Sequence, residues 1–273
     1  QLPVQSLSID DCIEKGKDRT EGGAKYNSGY AVVFTGIADV ADSLIAIKKL
    51  VYEKEKFTLE ELEEALENNF EGYRDIHQLC LNAPKYGNDI HEVDELAREI
   101  TDYCSEVVRE SEDANGFRNS HALYPVTTHV PMGLDTGALP SGRKAKVPLA
   151  DGVSPAQGKD REGPTAVIKS VTTLNHEEHS TGTLLNQKFS PNALKTDRDL
   201  ENFISLIKTY FDLGGYHIQF NVIGAKDLKD AQKNPEKYKD LLVRVAGYSA
   251  YFVELSQEVQ NEIISRSEQA RLN

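Results

Sequence analysis

Few side chains in this sequence of 273 residues have the type and spacing that catalysis needs. The three cysteines, Cys12, Cys80 and Cys104, are an odd number without paired spacing, which fits neither a disulfide framework nor a zinc site. Cys104 falls in an apolar helical stripe, where a free cysteine packs as a small apolar residue. The histidines have no metal-ligand spacing, and His176 and His179, which flank an acidic pair in a loop, are predicted to be solvated. These residue types therefore predict no metal site.

A single glycine interrupts the strand-like run LLVRVAGYSAYF at residues 241–252. Glycine adopts backbone conformations that other residues resist. Inside a strand it usually marks a bulge or a close approach of two backbones. A bulge is therefore the ordinary interpretation of Gly247, and a functional interpretation needs support from the rest of the chain.

Composition excludes several classes of partner. The chain has 44 Asp and Glu residues against 31 Lys and Arg, a net charge of -13, whereas nucleic-acid binding needs basic patches. No long uncharged apolar run is present to span a membrane, and the first residues lack the pattern of a signal peptide. The unpaired cysteines favour a reducing, cytoplasmic location. Because the first residue is Gln1 and not Met, we expect the chain to be processed, truncated or cut from a longer protein.

Helical spacing and capping residues predict the helices. Residues 38–52 carry apolar side chains at helical spacing, which places Val40 and Leu44 on the buried face. Thr58 and Glu61 have the spacing of a capping box in front of the next helix. Further helices are predicted at 89–110, 197–212, 225–234 and 257–269.

Alternating polar and apolar residues predict the strands, at 2–9, 121–133, 181–189, 215–223 and 241–245. Within 121–133 the alternation places Tyr124, Val126 and Thr128 on one face. A strand–helix–strand order ends at residue 245, so the strands 215–223 and 241–245 are predicted to be parallel. Ligands gather at the C-terminal ends of parallel strands, where Gly247 would lie. The Gly- and Pro-rich residues 136–165 are predicted to form a long functional or disordered loop.

The segment around this glycine resembles the radical-site motif of the glycyl radical enzymes. The motif is RVAGYSAYF at residues 244–252, and its residues beside Gly247 are Arg244, Val245, Ala246, Tyr248 and Ser249. The resemblance continues through the segments GGYHIQFNVI, QNEIISRSE, DCIEKGKDRTEGGAKYN, APKYGND, SGRKAKVPLADGVSP and GTLLNQKFSPNAL. The chain is most similar to the branch that contains the diol and hydroxyproline dehydratases and choline trimethylamine-lyase.

The resemblance implies that Gly247 stores an organic radical. A radical on the glycine α-carbon is delocalised between the amide nitrogen and the carbonyl group, and the carbon flattens without a side chain that could clash. The radical takes the place of a bound cofactor in this difficult chemistry. A partner, an iron–sulfur activating enzyme that cleaves S-adenosylmethionine, would install it. We expect a buried site that keeps oxygen and solvent away.

The resemblance also implies a fold and further partners. The fold class is α/β, with residues 1–195 as the C-terminal portion of a pyruvate formate-lyase-like β/α barrel and residues 196–273 as the glycine radical domain. The enzyme would be homodimeric or hetero-oligomeric, and it would carry out radical elimination on a small hydroxylated or aminated metabolite. Dehydration of a diol or of hydroxyproline is the leading prediction.

Two further residue assignments follow from the resemblance. Tyr124 aligns with a tyrosine of the substrate pocket in the diol dehydratases, and Thr128 lies on the same predicted face; the alternative is a half-buried strand tyrosine. Cys12 with Glu14 resembles the Cys-x-Glu of the thiyl site, yet the surrounding sequence resembles a later segment of the family. We therefore expect a packing role for Cys12 and an upstream half or large subunit that supplies the thiyl cysteine.

Three other functions stay open at this point. One is a C-acetyltransferase of the pyruvate formate-lyase type. Another is a small spare-part protein that repairs oxygen-damaged glycyl radical enzymes, although residues 1–190 would be needless in such a module. The third is a binding or structural α/β domain without catalytic activity, which the radical motif disfavours.

Overall fold

The computed structural model describes residues 1–270, which combine helices with short, mostly parallel strands. The strands are β1 (Ala31–Val33), β2 (Ser120–Ala122), β3 (Leu185–Phe189), β4 (Ile218–Val222), β5 (Leu242–Arg244), β6 (Ser249–Tyr251) and β7 (Glu268–Gln269). The helices are α1 (Pro3–Ser6), α2 (Cys12–Lys15), α3 (Ile37–Ile47), α4 (Leu59–Glu67), α5 (Arg74–Asn82), α6 (His91–Arg109), α7 (His129–Asp135), α8 (Pro164–Val171), α9 (Asp197–Asp212), α10 (Ala225–Lys233) and α11 (Gln257–Ser265). A π-helical segment, Lys48–Glu53, continues α3.

Most of the strands pair in parallel. β1 pairs with β2, and β3 pairs with both β4 and β7, all in parallel. A parallel bridge between Leu123 and Thr183 links the two groups of strands. Because helices connect these strands, as parallel pairing requires, the prediction of an α/β fold is confirmed.

The largest apolar core lies where α3 packs against α6, with β3 and α9 completing it. The predicted buried face of α3 was wrong, since Val40 and Leu44 are exposed and Ala41 and Ile45 are fully buried. The buried face of this helix carries two aspartates, Asp39 and Asp42, so polar residues did not mark the outer face; its alanines allow a close approach to α6. No helix among residues 1–270 is long and apolar enough to cross a membrane.

Two predicted strands are wrong. Residues 2–9 begin with the short helix α1, which Pro3 favours because proline suits the first position of a helix. In the segment 121–133 the strand β2 ends at Ala122, and Thr128 precedes the helix α7. Pro125 and the turn at Val126 end the extended backbone there.

The predicted helix starts at Thr58 and Thr196 are confirmed. Each side chain accepts a hydrogen bond from the backbone three residues on, and Glu61 and Asp199 return the bond to complete a capping box. Ser256 likewise caps α11. Local side-chain chemistry decides these boundaries, which explains why the sequence predicted them.

The predicted parallel pairing of the last two long strands is also wrong. β5 pairs antiparallel with β6, as the two strands of a hairpin, and neither is hydrogen-bonded into the sheet of β3 and β4. Residues 245–248 turn the chain back immediately after β5. The strand β6 therefore supplies the backbone hydrogen bonds of β5, and β4 contacts β5 through its side chains.

Three histidines lie in the interior near β2, so the prediction that His176 and His179 are solvated was wrong. Nδ1 of His179 lies 2.9 Å from Nδ1 of His121, and the ring of His176 bonds to Thr183 and to a backbone carbonyl. The loop folds back onto β2 and buries all three rings. Burial lowers the pKa of His121 to about 4 and that of His179 to about 3.

The low pKa of His179 predicts that the folded protein loses stability as the pH falls. His179 has a folded pKa of about 3 and an ordinary value of 6.5, so acid protonates it first in the unfolded chain and the folded state loses stability. We expect the stability advantage of the native chain over His179→Asn to shrink by about 1.4 kcal/mol between pH 7.5 and 5.5. Urea unfolding at the two pH values measures it. His91→Asn, at an exposed position, is the control, and a constant advantage for the native chain would contradict the prediction.

Candidate active site

Gly247 lies in the tight turn that joins β5 to β6. The Val245 N–H donates to the carbonyl of Tyr248 at 2.9 Å, so Ala246 and Gly247 form a two-residue loop. Gly247 has φ +80° and Ala246 a negative φ, the sign pattern of a type II turn. The second loop position of that turn favours glycine because the left-handed region strains other residues.

Both peptide groups that flank the Gly247 α-carbon are held by side chains. The Gly247 N–H donates to Oε1 of Gln219 at 3.0 Å, and its carbonyl accepts from Nη2 of Arg244 at 3.1 Å. Nε of Arg244 also donates to Oε1 of Gln219, at 3.0 Å. The same arginine reaches Ser249 Oγ at 3.3 Å. Three residues of the predicted motif, Arg244, Gly247 and Ser249, thus meet in one network.

The polar face of β4 supports this turn, and sequence reasoning had not identified it as part of the site. Gln219 and Asn221 are only 5% and 6% exposed, whereas the apolar Val222 is 47% exposed. Asn221 accepts from the Arg244 N–H at 2.8 Å and donates to its carbonyl at 2.7 Å. The Asn221 side chain therefore forms the two hydrogen bonds to Arg244 that the backbone of a neighbouring strand would otherwise form. The alternation of polar residues in HIQFNV was the available signal.

A buried ion cluster lies beneath the turn. Arg266 donates to the carbonyl of Val245 at 3.0 Å and to both oxygens of Glu262 at 2.9 and 2.8 Å. Asp151 lies 3.8 Å from the same guanidinium group. Burial opposes ionisation of Glu262, yet Arg266 and His129 outweigh it and hold its pKa below the ordinary value. The cluster ties α11 to the hairpin.

Gly247, Tyr248 and Ser249 are exposed in this chain, so the expectation of a buried radical site is not met by these residues. Val245 and Ala246, the motif residues before them, are buried. A Cβ atom built on Gly247 would have one heavy atom within 4 Å, Cδ1 of Leu184 at 3.9 Å. The turn faces outward, and residues 1–270 cover only its inner side.

The two predicted substrate residues do not share a strand face. Tyr124 is half-buried, and its ring packs near Gly182. Gly182 directly precedes Thr183, which forms the parallel bridge to Leu123. Thr128 is exposed and its hydroxyl donates to the Pro125 carbonyl at 2.6 Å. The turn between them breaks the alternation on which the prediction rested.

Val126, which the predicted alternation placed on one face with Tyr124, lies instead in that turn. It has φ +56°, and a β-branched residue is rarely found in this region because its side chain crowds the backbone. Such strain costs about 1–3 kcal/mol and clusters at functional sites. The strained turn sets the direction in which the chain leaves Tyr124.

The cysteines occupy packing positions. Cys12 is buried at the start of α2, and Cys80 is fully buried in the core formed by α3, α4 and α5. Burial raises the pKa of the Cys80 thiol to about 11 and raises that of Cys104. Within residues 1–270 no group of three or more His, Cys, Asp or Glu side chains could hold a metal ion.

Two family models match segments of this chain. Residues 1–133 match the family model described as pyruvate formate lyase-like, and residues 149–253, which include Gly247, match the model described as glycine radical. The chain belongs to the glycyl radical enzymes. The more detailed division into residues 1–195 and 196–273 stays a prediction.

Individual glycyl radical enzymes are similar to this chain over nearly all of its length. It is 47% identical to trans-4-hydroxy-L-proline dehydratase of Clostridioides difficile over 98% of the chain and 34% of that protein. It is 46% identical to isethionate sulfite-lyase of Bilophila wadsworthia, over 97% of the chain and 32% of that protein. The glycerol-bound, B12-independent glycerol dehydratase of Clostridium butyricum superposes with a TM-score of 0.92 at 51% identity, over 97% and 34%. The chain therefore spans about a third of the length of these relatives.

The positive φ of Gly247 predicts the cost of a side chain there. Gly247→Ala should destabilise the protein by about 1–2 kcal/mol, because the backbone is left-handed and the space is open. Gly72→Ala is a matched control, with φ +86° and no atom within 4 Å of the added carbon. Urea unfolding should show similar losses for both variants. A loss above 4 kcal/mol at Gly247 alone would mean that the added methyl group clashes with neighbouring atoms and would contradict the open space described here.

Proposed function

We propose that this chain is the C-terminal part of a glycyl radical lyase or dehydratase and that Gly247 stores the radical. The observation that carries the proposal is the position of Gly247 at the apex of a hairpin, with its N–H and carbonyl both held by Gln219 and Arg244. A bulge glycine would require neither contact. The turn lies within the segment that matches the glycine radical model.

The proposed reaction is radical elimination from a small hydroxylated or aminated metabolite. The similar proteins are named for action on hydroxyproline and isethionate, and a similar structure holds glycerol. We propose dehydration of a diol or of hydroxyproline as the leading case. The Tyr124 hydroxyl would donate a hydrogen bond to a substrate oxygen. The Thr128 oxygen keeps lone pairs that can accept a hydrogen bond from a substrate hydroxyl.

The proposal requires two partners. An activating enzyme, an iron–sulfur protein that uses S-adenosylmethionine, removes one hydrogen atom from the Gly247 α-carbon. The remainder of the enzyme supplies the cysteine that carries the thiyl radical and covers the exposed residues 247–249, so that oxygen does not reach the radical. The assembly is a homodimer or a hetero-oligomer.

Electron paramagnetic resonance tests the radical directly. The complete protein, incubated without oxygen with its activating enzyme, S-adenosylmethionine and a reductant, should show a carbon-centred radical with one dominant hydrogen splitting. A glycyl radical keeps a single α-hydrogen, so incorporation of deuterated glycine should collapse the splitting. Air should then cleave the activated chain at residue 247, and mass spectrometry should find a peptide that begins near Tyr248.

The glycine variants make this test specific. Gly247→Ala should lose the signal and the cleavage, while Gly72→Ala, which carries the same backbone strain, should keep both. A radical in Gly247→Ala, or no radical in the native protein with active activating enzyme, would refute the assignment. Unactivated protein exposed to air should stay intact.

Tyr124→Phe tests the substrate assignment independently of the radical. Loss of one hydrogen bond costs about 0.5–1.5 kcal/mol, so kcat/KM should fall by about two- to tenfold while the yield of the radical stays the same. Tyr216→Phe, at an exposed tyrosine, is the control. An unchanged kcat/KM in Tyr124→Phe would return this residue to a packing role.

A further inference from the structure

A series of side-chain amides connects a buried carboxylate to the backbone of Gly247. The side-chain nitrogen of Asn186 donates to Asp151, and Nε2 of Gln219 donates to the side-chain oxygen of Asn186. Oε1 of Gln219 accepts the Gly247 N–H. Asp151, Asn186 and Gln219 are each no more than 9% exposed, so water scarcely competes for the bonds among these three side chains.

The carboxylate end determines which way both amides point. A carboxylate beside the Arg266 guanidinium offers acceptors only, whereas each amide has one acceptor oxygen and one donor nitrogen. Asn186 therefore turns its nitrogen to Asp151 and its oxygen to Gln219. Gln219 answers with its nitrogen, which also donates to the Val245 carbonyl at 3.3 Å, and this leaves its oxygen on the side of Gly247.

Two donors converge on that oxygen, the Gly247 N–H and Nε of Arg244. If the Gln219 amide were reversed, its nitrogen would face both of them, and three donors would meet without an acceptor. Leaving these partly buried donors without an acceptor is costly. The turn therefore keeps its hydrogen bond only while the amide of Gln219 has this orientation.

We propose that Asp151, Asn186 and Gln219 form a positioning relay that holds Gly247. Through the relay, Asp151 controls the N–H of Gly247 although it forms no hydrogen bond to it. The hydrogen bonds also polarise one another along such a series, which strengthens the last of them. Gln219 is the residue in contact with the turn, and Asp151 and Asn186 act through it.

The consequence for the radical rests on the proposed function of Gly247. Gln219 holds the peptide group before the α-carbon and Arg244 holds the group after it. Together they set the direction of the two α-hydrogens of Gly247. We therefore expect the relay to determine how much radical forms under given conditions.

Hydrogen exchange in the complete, unactivated protein tests the relay without a radical. Mass spectrometry of peptides that cover residues 245–248 reports the exchange of the Gly247 amide. In Asp151→Asn the new side chain can donate as well as accept, so it no longer fixes the orientation of the Asn186 and Gln219 amides. Exchange of the Gly247 amide should then quicken by about two- to tenfold. Gln219→Glu should also quicken this exchange. Asn186 would then lie between two carboxylates, and its side chain has only one donor group to offer them.

The double variant is the decisive measurement. With Asp151→Asn and Gln219→Glu together, the carboxylate stands at position 219 and the relay can run in reverse. Asn186 then donates to residue 219 and accepts from residue 151, and the carboxylate accepts from the Gly247 N–H. Exchange should return to within about twofold of the native rate, although two buried residues have changed.

Asp94→Asn is the control for loss of a buried carboxylate, since Asp94 bonds to Ser170 in another part of the core. It should leave the exchange of the turn unchanged. The relay is refuted if Asp151→Asn exchanges at the native rate, or if the double variant exchanges as fast as the single variants. Exchange of peptides from α6 and α9 shows whether each variant is folded.

Radical yields separate this inference from the proposed function. In the activated complete protein, both single variants should accumulate several-fold less radical, and the double variant should recover it. If the native protein forms no radical while the exchange pattern holds, the relay stands and the proposed function fails. If the native protein forms the radical and the exchange pattern fails, the relay is wrong and the proposed function stands.

Discussion

The hydrogen bond from the Gly247 N–H to Oε1 of Gln219 is the interaction on which the site depends. A hairpin of two three-residue strands is not stable by itself, because it buries too little apolar surface. Here the backbone of β5 and the turn bond to buried side-chain amides on β4, a strand at the edge of the sheet that it forms with β3 and β7. The exposed turn thereby takes its conformation from the core.

Both faces of β4 are covered, since Ile218 and Phe220 pack against the main core and the amides on the other face pack against the hairpin. β4 turns its amides toward the hairpin, and its last residue, Val222, is 47% exposed. Buried polar groups are tolerated where each finds a partner, and the amides of Gln219 and Asn221 do so by bonding to the backbone of residues 244–247. The polar face gives the turn one specific orientation, which contact between apolar side chains would not.

The ion cluster beneath the turn is costly to bury and specific in its geometry. Removing Arg266 and Glu262 from water is unfavourable unless each charge is paired and hydrogen-bonded. Their mutual bonds meet this condition, and Arg266 also holds the Val245 carbonyl at 3.0 Å. Residues 1–270 leave the outer side of the turn uncovered, and the chain spans about a third of the length of its relatives. Residues 247–249 thus form a well-defined but exposed segment.

Much of the local structure followed from the sequence. The capping boxes at Thr58 and Thr196 involve neighbours in the chain, so their boundaries could be predicted from residue types alone. The run RVAGYSAYF, with the segments around it, was sufficient to identify the glycyl radical family. Gly247 stood out because a glycine in an apolar run needs a reason.

Only the tertiary structure decided what surrounds this glycine. The alternation of HIQFNV showed two faces but could not say that the polar one is buried, since burial depends on the elements that pack against it. The pairing of β5 with β6, the interior position of His179 and the turn at Val126 depend on contacts distant in sequence or on backbone strain. Asp151, Asn186 and Gln219 lie far apart along the chain, and folding alone brings them into one series of hydrogen bonds beside Gly247.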